Sequence, residues 1–239
     1  MKDGLKLGDL ILDPRRVVYI PSLNAVVCAG LHEALSIGIS GGLRGVLERM
    51  DAVLETYKPE ALIILGLGDL SEKSPVTGIA RRWGKQTKIH FVTNESQADG
   101  RMIAEALGCE VHHELVWGRY RFVESEKKGV LEVQLLTIVG HPNYVVKVGS
   151  MPFGGMKLAV FLKGIGKLIL PTLSPNAASA SVFNSDLGRY DLFAVGHQRV
   201  LPMGKVDGLK SVKGIGRGLP IVKATLGAKR RAPKEPLAD

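Results

Sequence analysis

The hydrophobic pattern changes its period along the chain. Ala25-Val26-Val27-Cys28-Ala29 and Ala61-Leu62-Ile63-Ile64-Leu65 are unbroken apolar runs, the pattern of short strands buried on both faces. Between them Leu43, Val46, Leu47, Met50, Val53 and Leu54 recur at helical spacing. Glu48, Arg49, Asp51 and Glu55 fall on the opposite face, and Lys58-Pro59 ends the helix. Strand, helix and strand at this spacing predict a parallel crossover. Val17-Val18-Tyr19-Ile20, followed by the turn-like Pro21-Ser22-Leu23-Asn24, predicts a hairpin leading into the strand at Ala25. Leu10-Ile11-Leu12 reads as a short edge strand ahead of it.

Downstream, a helix is expected over Pro75 to Trp83, a strand over Lys88 to Val92, and a helix over Ala98 to Leu107 stopped by Gly108. Glu110-Val111 begins another strand. The second half is richer in strands. The pattern places them at Val116-Trp117, Tyr120 to Val123, Val130 to Val139, Val145 to Val148, Leu158 to Leu162, Lys167 to Leu170, Leu192 to Val195 and Val200 to Met203, with Gly and Pro between. A parallel half followed by a strand-rich half suits an α/β fold of two packed sheets with helices outside.

The strand ends carry the chemistry-bearing residues, as open α/β folds require. They are Ala29-Gly30-Leu31-His32, Gly66-Leu67-Gly68-Asp69, Thr93-Asn94-Glu95-Ser96, Phe122-Val123-Glu124-Ser125-Glu126 and Gly140-His141-Pro142-Asn143. In order and strand context these resemble the motifs of the calcineurin-like metallophosphoesterases, and within them the DNA-ligase-associated or helicase-associated branch. The resemblance covers about residues 10 to 205. It implies a four-layer α-β-β-α sandwich of two mixed sheets, and hydrolysis of phosphoesters by two bridged metal ions that activate a water.

Against that pattern several ligand positions have changed. Gly30 stands where the family has an aspartate, while His32 is kept. Aligned without a gap, Leu67 occupies the position of the bridging aspartate; a two-residue slip would put Asp69 there. The ungapped alignment is favoured, because an insertion at a strand tip would carry the carboxylate away from its partners. Asn94 keeps the amide ligand, and Glu95 replaces the histidine that protonates the leaving group. Glu124 falls where the fourth motif has histidine, and His141 keeps the first histidine of the fifth motif while Asn143 replaces the second.

His32, Asn94, His141 and, on the slipped alignment, Asp69 are thus the candidate metal ligands, with Glu95 the candidate acid. Three neutral ligands without a bridging carboxylate do not offset the charge of two divalent ions. Either no metal or one divalent ion, manganese or zinc, is expected. The expected function is that of a pseudoenzyme with a binding or scaffolding role, linked to nucleic acid or DNA repair. The alternative is an active phosphodiesterase or nuclease with a site remodelled around His32, Asp69, Asn94, Glu95, Glu124 and His141. Two further patterns rank below these. His112-His113-Glu114 could bind metal, but neighbours on a strand point to opposite faces. Trp117, Tyr120 and Phe122 beside Arg119 and Arg121 could stack on bases, or could simply alternate on a half-buried strand.

Charge adds one feature. The chain of 239 residues has a formal charge of +9, of which +6 lies between Lys205 and Asp239. Residues 1–205 are therefore read as the phosphoesterase-like domain and 206–239 as a basic, partly disordered tail. Lys229, Arg230 and Arg231 in that tail are candidate nucleic-acid contacts through phosphates. A solvated extension explains the same run of charge. A DNA-repair protein is the other partner expected. No apolar run reaches the roughly 18 residues of a membrane span, so no membrane association is expected. Two cysteines, Cys28 and Cys109, are too few for a disulfide framework and fit a reducing, cytoplasmic setting.

Overall fold

The computed structural model describes residues 4–31, 40–66, 75–94, 102, 104–125, 134–148, 156–174, 179–184 and 186–211. Seven strands form the first sheet in chain order: β1 (Leu5–Leu7), β2 (Leu10–Asp13), β3 (Val17–Ile20), β4 (Ala25–Ala29), β5 (Ala61–Leu65), β6 (Lys88–Val92) and β7 (Glu110–His112). β1 to β4 run antiparallel as a meander. β4 to β7 are parallel, in a register that sets Ala25 beside Ala61, Ala61 beside Lys88 and His90 beside Glu110. Each parallel step needs a crossover. α1 (Ser40–Tyr57) makes the first, α2 (Pro75–Trp83) the second, and helical residues at 104–106 lie in the third.

All three crossovers cover the same face. Val46, Met50 and Val53 of α1, Ala80 and Trp83 of α2, and Ala104 pack with Val26, Cys28, Leu62, Ile64, Ile89 and Phe91. The alternate residues of the same strands, Ala25, Val27, Ala29, Ala61, Ile63, Leu65 and Val92, face the other way and pack against the second sheet. Burial on both faces is why β4 and β5 read as continuous apolar runs.

The second sheet has nine strands: β8 (Leu115–Trp117), β9 (Tyr120–Ser125), β10 (Leu136–His141), β11 (Tyr144–Val148), β12 (Met156–Gly164), β13 (Lys167–Ile169), β14 (Ala180–Ser181), β15 (Asp191–Val195) and β16 (Val200–Lys205). Its order is β14-β11-β12-β13-β10-β9-β8, with β15 pairing both β12 and β16. β10 lies parallel to β9 and β13, so the sheet is mixed. Tyr120, Phe122, Ile138, Phe161 and Leu168 fill the space between the sheets. On the outer face Val123, Val139, Val160, Leu162 and Leu192 are capped by Val182 of a short 3-10 turn and Val206 of α3 (Val206–Ser211). Among the described residues the result is the expected four-layer order, with longer helices on the first sheet and a 3-10 turn and α3 on the second.

Three of these residues bear on the expectations from sequence. Tyr120 and Phe122 lie buried between the sheets, so they are core residues and offer no stacking platform; Arg119 pairs with Asp9 and Arg121 with Glu114. Val206 is fully buried, so the last packed element begins one residue past the expected domain end at 205. Residues 212–239, with Lys229, Arg230 and Arg231, lie outside the described residues.

The end of α1 and the β2–β3 turn are locked by one carboxylate. Asp13, buried at the end of β2, accepts from Arg15 N, Nε and Nη2 at 2.8, 2.8 and 2.6 Å and from Tyr57 Oη at 2.7 Å. Arg15 continues to Ala52 O and Thr56 Oγ1 on α1. Burial pushes the Asp13 carboxyl up, but the hydrogen bonds from Arg15 and Tyr57 outweigh it and hold the group below its ordinary value.

Candidate functional site

The carboxyl ends of β4, β5, β6, β9 and β10 meet where Gly140 of the second sheet approaches the first. Gly30 and Gly66 turn the chain out of β4 and β5 with φ of 66° and 91°, left-handed values that glycine adopts at no steric cost. Gly30 N donates to Leu65 O and Gly66 N to Val92 O. Opposite them, Gly140 of β10 brings the second sheet so near that a Cβ there would lie 2.6 Å from Leu65 Cβ and 3.2 Å from Ala29 Cβ.

Above this contact lies a pocket of about 180 Å³ lined by Gly30, Leu65, Glu124, Ser125, Gly140, His141, Asn143 and Thr172. Thr172 closes one side. It forms a parallel bridge with Ala29, its hydroxyl donates to Gly30 O at 3.1 Å and accepts from Ser174 N at 3.2 Å, and its N–H donates to Asn143 Oδ1 at 3.4 Å. Arg16 and Arg49 hold the same segment from outside. Arg16 donates to Thr172 O and Ser174 O, and Arg49 to Leu173 O. Burial, with Arg49 nearby, lowers the Arg16 guanidinium to about 10.

On the other side the end of β6 is clipped to the end of β9. Glu124 Oε2 accepts from Asn94 N at 2.7 Å and from Thr93 Oγ1 at 3.1 Å. The Asn94 carboxamide donates in return to Ser125 Oγ at 2.6 Å and to Ser125 O at 3.3 Å. Asn94 is exposed beside the pocket, and His141 is exposed on its rim.

The fold brings Asn94, Glu124 and His141 to one sheet edge. His32, Asp69 and Glu95 lie outside the described residues. Glu124 is the only carboxylate among the described residues lining the pocket, and one of its oxygens is taken by two protein donors. Asn143, which replaces a histidine of the resembled motif, spends its amide oxygen on Thr172 N. The described donors do not fit a dinuclear metal centre, which needs carboxylate oxygens free to face the ions.

A second cluster escaped the reading of the sequence. His90, Glu110 and His112 converge on the β6–β7 edge and, among the described residues, form a group of the kind that holds a metal ion. Glu110 and His112 are two apart on one strand, a legible same-face pair; the third member depends on the pairing of β6 with β7.

No family model and no curated protein matches the chain. Among solved structures it is similar to the crystal structure of the Pseudomonas putida nuclease MPE, with a TM-score of 0.59 and 20% sequence identity, over 81% of this chain and 94% of that one. A likeness at that identity shows the fold alone: the two-sheet α/β architecture is shared with that nuclease.

Proposed function

We propose that this chain is a metallophosphoesterase-fold protein that binds nucleic acid without hydrolysing it. The observation that carries the reading is the state of Glu124. The described pocket carboxylate serves as an acceptor for Thr93 and Asn94, and so braces two strand ends where a catalytic site would present it to a metal. Gly30 at the end of β4 points the same way, since it supplies a turn and no ligand. The likeness to a nuclease fold supports nucleic acid as the ligand class, and the basic residues Lys229, Arg230 and Arg231 supply contacts that follow phosphate and not sequence. A role beside DNA-repair proteins is the setting this reading favours.

The test uses the full chain, purified without chelator. With Mn²⁺ added it is assayed on bis(p-nitrophenyl) phosphate and on single- and double-stranded DNA. DNA binding is followed by anisotropy across a salt series. The expected result is no turnover, with binding that weakens steeply with salt. Replacing Lys229, Arg230 and Arg231 together by alanine should reduce the log–log salt slope by about 2 to 3. Turnover that disappears in His32→Ala would overturn the reading in favour of a remodelled hydrolase. Salt-independent binding, or a slope unchanged in the triple variant, would overturn the nucleic-acid assignment.

A further inference from the structure

Three ligand atoms meet at the edge of the first sheet. His90 Nδ1 lies 3.3 Å from His112 Nε2 and 3.2 Å from Glu110 Oε2, and His112 Nε2 lies 3.4 Å from Glu110 Oε2. The triangle is nearly equilateral. Tetrahedral zinc with bonds of about 2.0–2.1 Å to nitrogen and oxygen sets its ligand atoms roughly 3.3–3.4 Å apart, so the triangle has the dimensions of one face of that tetrahedron.

The sheet fixes these positions. β6 and β7 pair in parallel with His90 beside Glu110 and Val92 beside His112. The two-residue period puts Glu110 and His112 on one face of β7. Val92, two residues from His90, packs between the sheets, so the cluster occupies the inner face at the open edge of the sandwich. Ligands held on paired strands are better placed than ligands on loops. Lys88 Nζ takes the other carboxylate oxygen, Glu110 Oε1, at 2.6 Å, which turns Oε2 toward the histidines in the manner of an outer-shell partner.

Burial is graded across the cluster. The His90 side chain is 6% exposed, that of His112 24% and that of Glu110 45%. A fourth position therefore opens toward solvent on the Glu110 side. Protons alone serve the arrangement poorly. Two facing imidazole nitrogens and one carboxylate oxygen make three close contacts, and no placement of protons makes all three into hydrogen bonds. A cation at the centre satisfies all three at once. Burial lowers the affinity of His90 for a second proton, with His112 and Lys88 acting in the same direction against Glu110, which favours the neutral imidazole that a metal needs.

We propose that His90 Nδ1, Glu110 Oε2 and His112 Nε2 bind one zinc-class divalent ion in a tetrahedral site whose fourth ligand is water. The ion ties the three-residue edge strand β7 to β6 near the ring of Trp117 in β8, 5.7 Å from His90. The site is separate from the pocket at Gly140, and its existence does not depend on whether that pocket is catalytic.

The full chain is stripped of metal, titrated with Zn²⁺, and titrated separately with Co²⁺ to read the visible absorption of four-coordinate cobalt. One equivalent of each is expected, with the tetrahedral cobalt spectrum. Glu110→Gln and His112→Ala change partly exposed side chains and should each weaken zinc by more than about a hundredfold, beyond the loss typical of an outer partner. Lys88→Ala should weaken it by about ten- to a hundredfold. His141→Ala, in the pocket, should leave the equivalent intact. Failure of the wild type to retain zinc, a six-coordinate cobalt spectrum, or unchanged affinity in both Glu110→Gln and His112→Ala would overturn the site. Zinc lost in His141→Ala and kept in the other two would place the metal in the pocket and overturn it as well.

Discussion

Replacing Gly140 by alanine adds one methyl group at the point where the two sheets touch. That carbon would stand 2.6 Å from Leu65 Cβ, 3.2 Å from Ala29 Cβ and 3.3 Å from Glu124 O. Carbon pairs settle at about 3.5–4.0 Å, so the Leu65 contact alone is short by roughly 1 Å. Neither Cβ can swing away, because each is fixed to strand backbone. Relief requires β10 to move from β4 and β5, which spreads strain through the core that both sheets share. Overpacking of this kind costs about 1–3 kcal/mol, and the rigid neighbours place Gly140→Ala near the upper end. In a chain of this length about 3 kcal/mol lowers Tm by roughly 6–12 °C.

The assay is denaturant unfolding followed by circular dichroism and tryptophan fluorescence, with Gly78→Ala as a matched control. Gly78 lies in α2, where a Cβ would meet nothing within 4 Å, so alanine there should stabilise by about 0.5–1 kcal/mol. Opposite signs for the same chemical change are the signature of the contact. A Gly140→Ala protein as stable as the wild type would refute the close approach of the sheets, and with it the shape of the pocket floor.

Two further outcomes follow from the hydrogen bonds. Asp13→Asn should cost about 3 kcal/mol, because it leaves Arg15 facing an amide where it had a buried carboxylate; denaturant midpoints measure it. The Asp13 pKa is depressed in the folded state, so its stabilisation is present above the unfolded carboxylate value of about 4 and is lost as pH falls through the lower folded value. Wild type should therefore lose stability on acidification that Asp13→Asn has already lost, and parallel acid curves for the two would disprove this. Thr172→Val keeps the shape and removes the hydroxyl between Gly30 O and Ser174 N, for an expected loss of about 1–3 kcal/mol; Thr172→Ser should recover most of it, and a neutral Thr172→Val would show that the hydroxyl does not hold the pocket wall.

The first sheet was legible because its signals are local. β3, β4, β5, β6 and α2 fall at the expected bounds, since unbroken apolar runs and a helical stripe report burial directly. β9 and β12 run longer than their apolar cores, to Ser125 and Gly164, because pairing with neighbours extends a strand through polar residues that sequence reads as loop. Glu124 sits in such an extension, which is why its partners Thr93 and Asn94 could not be foreseen. The cluster at His90 was hidden for a related reason. The sequence pattern singles out His112-His113-Glu114, where adjacent residues diverge, while the partner of His112 across the sheet lies 22 residues upstream, a separation only the strand register reveals.

Strand order has a consequence for how the chain is made. In the first sheet every strand pairs with the one just before it in sequence, so each arrives at the ribosome exit beside a neighbour already present. Pairing between strands that are neighbours in sequence keeps contact order low and is kinetically favourable. The second sheet interleaves its strands, with β10 between β9 and β13 and β12 joined to β15, and cannot be completed until residue 195 or beyond has emerged. During that interval the nascent first sheet has its helices on one side, while Val27, Ile63 and Val92 on the other wait for Phe122, Ile138, Phe161 and Leu168 to cover them. An apolar face left uncovered for that interval is the kind of surface through which partly folded chains aggregate, and it lasts for roughly the second half of translation.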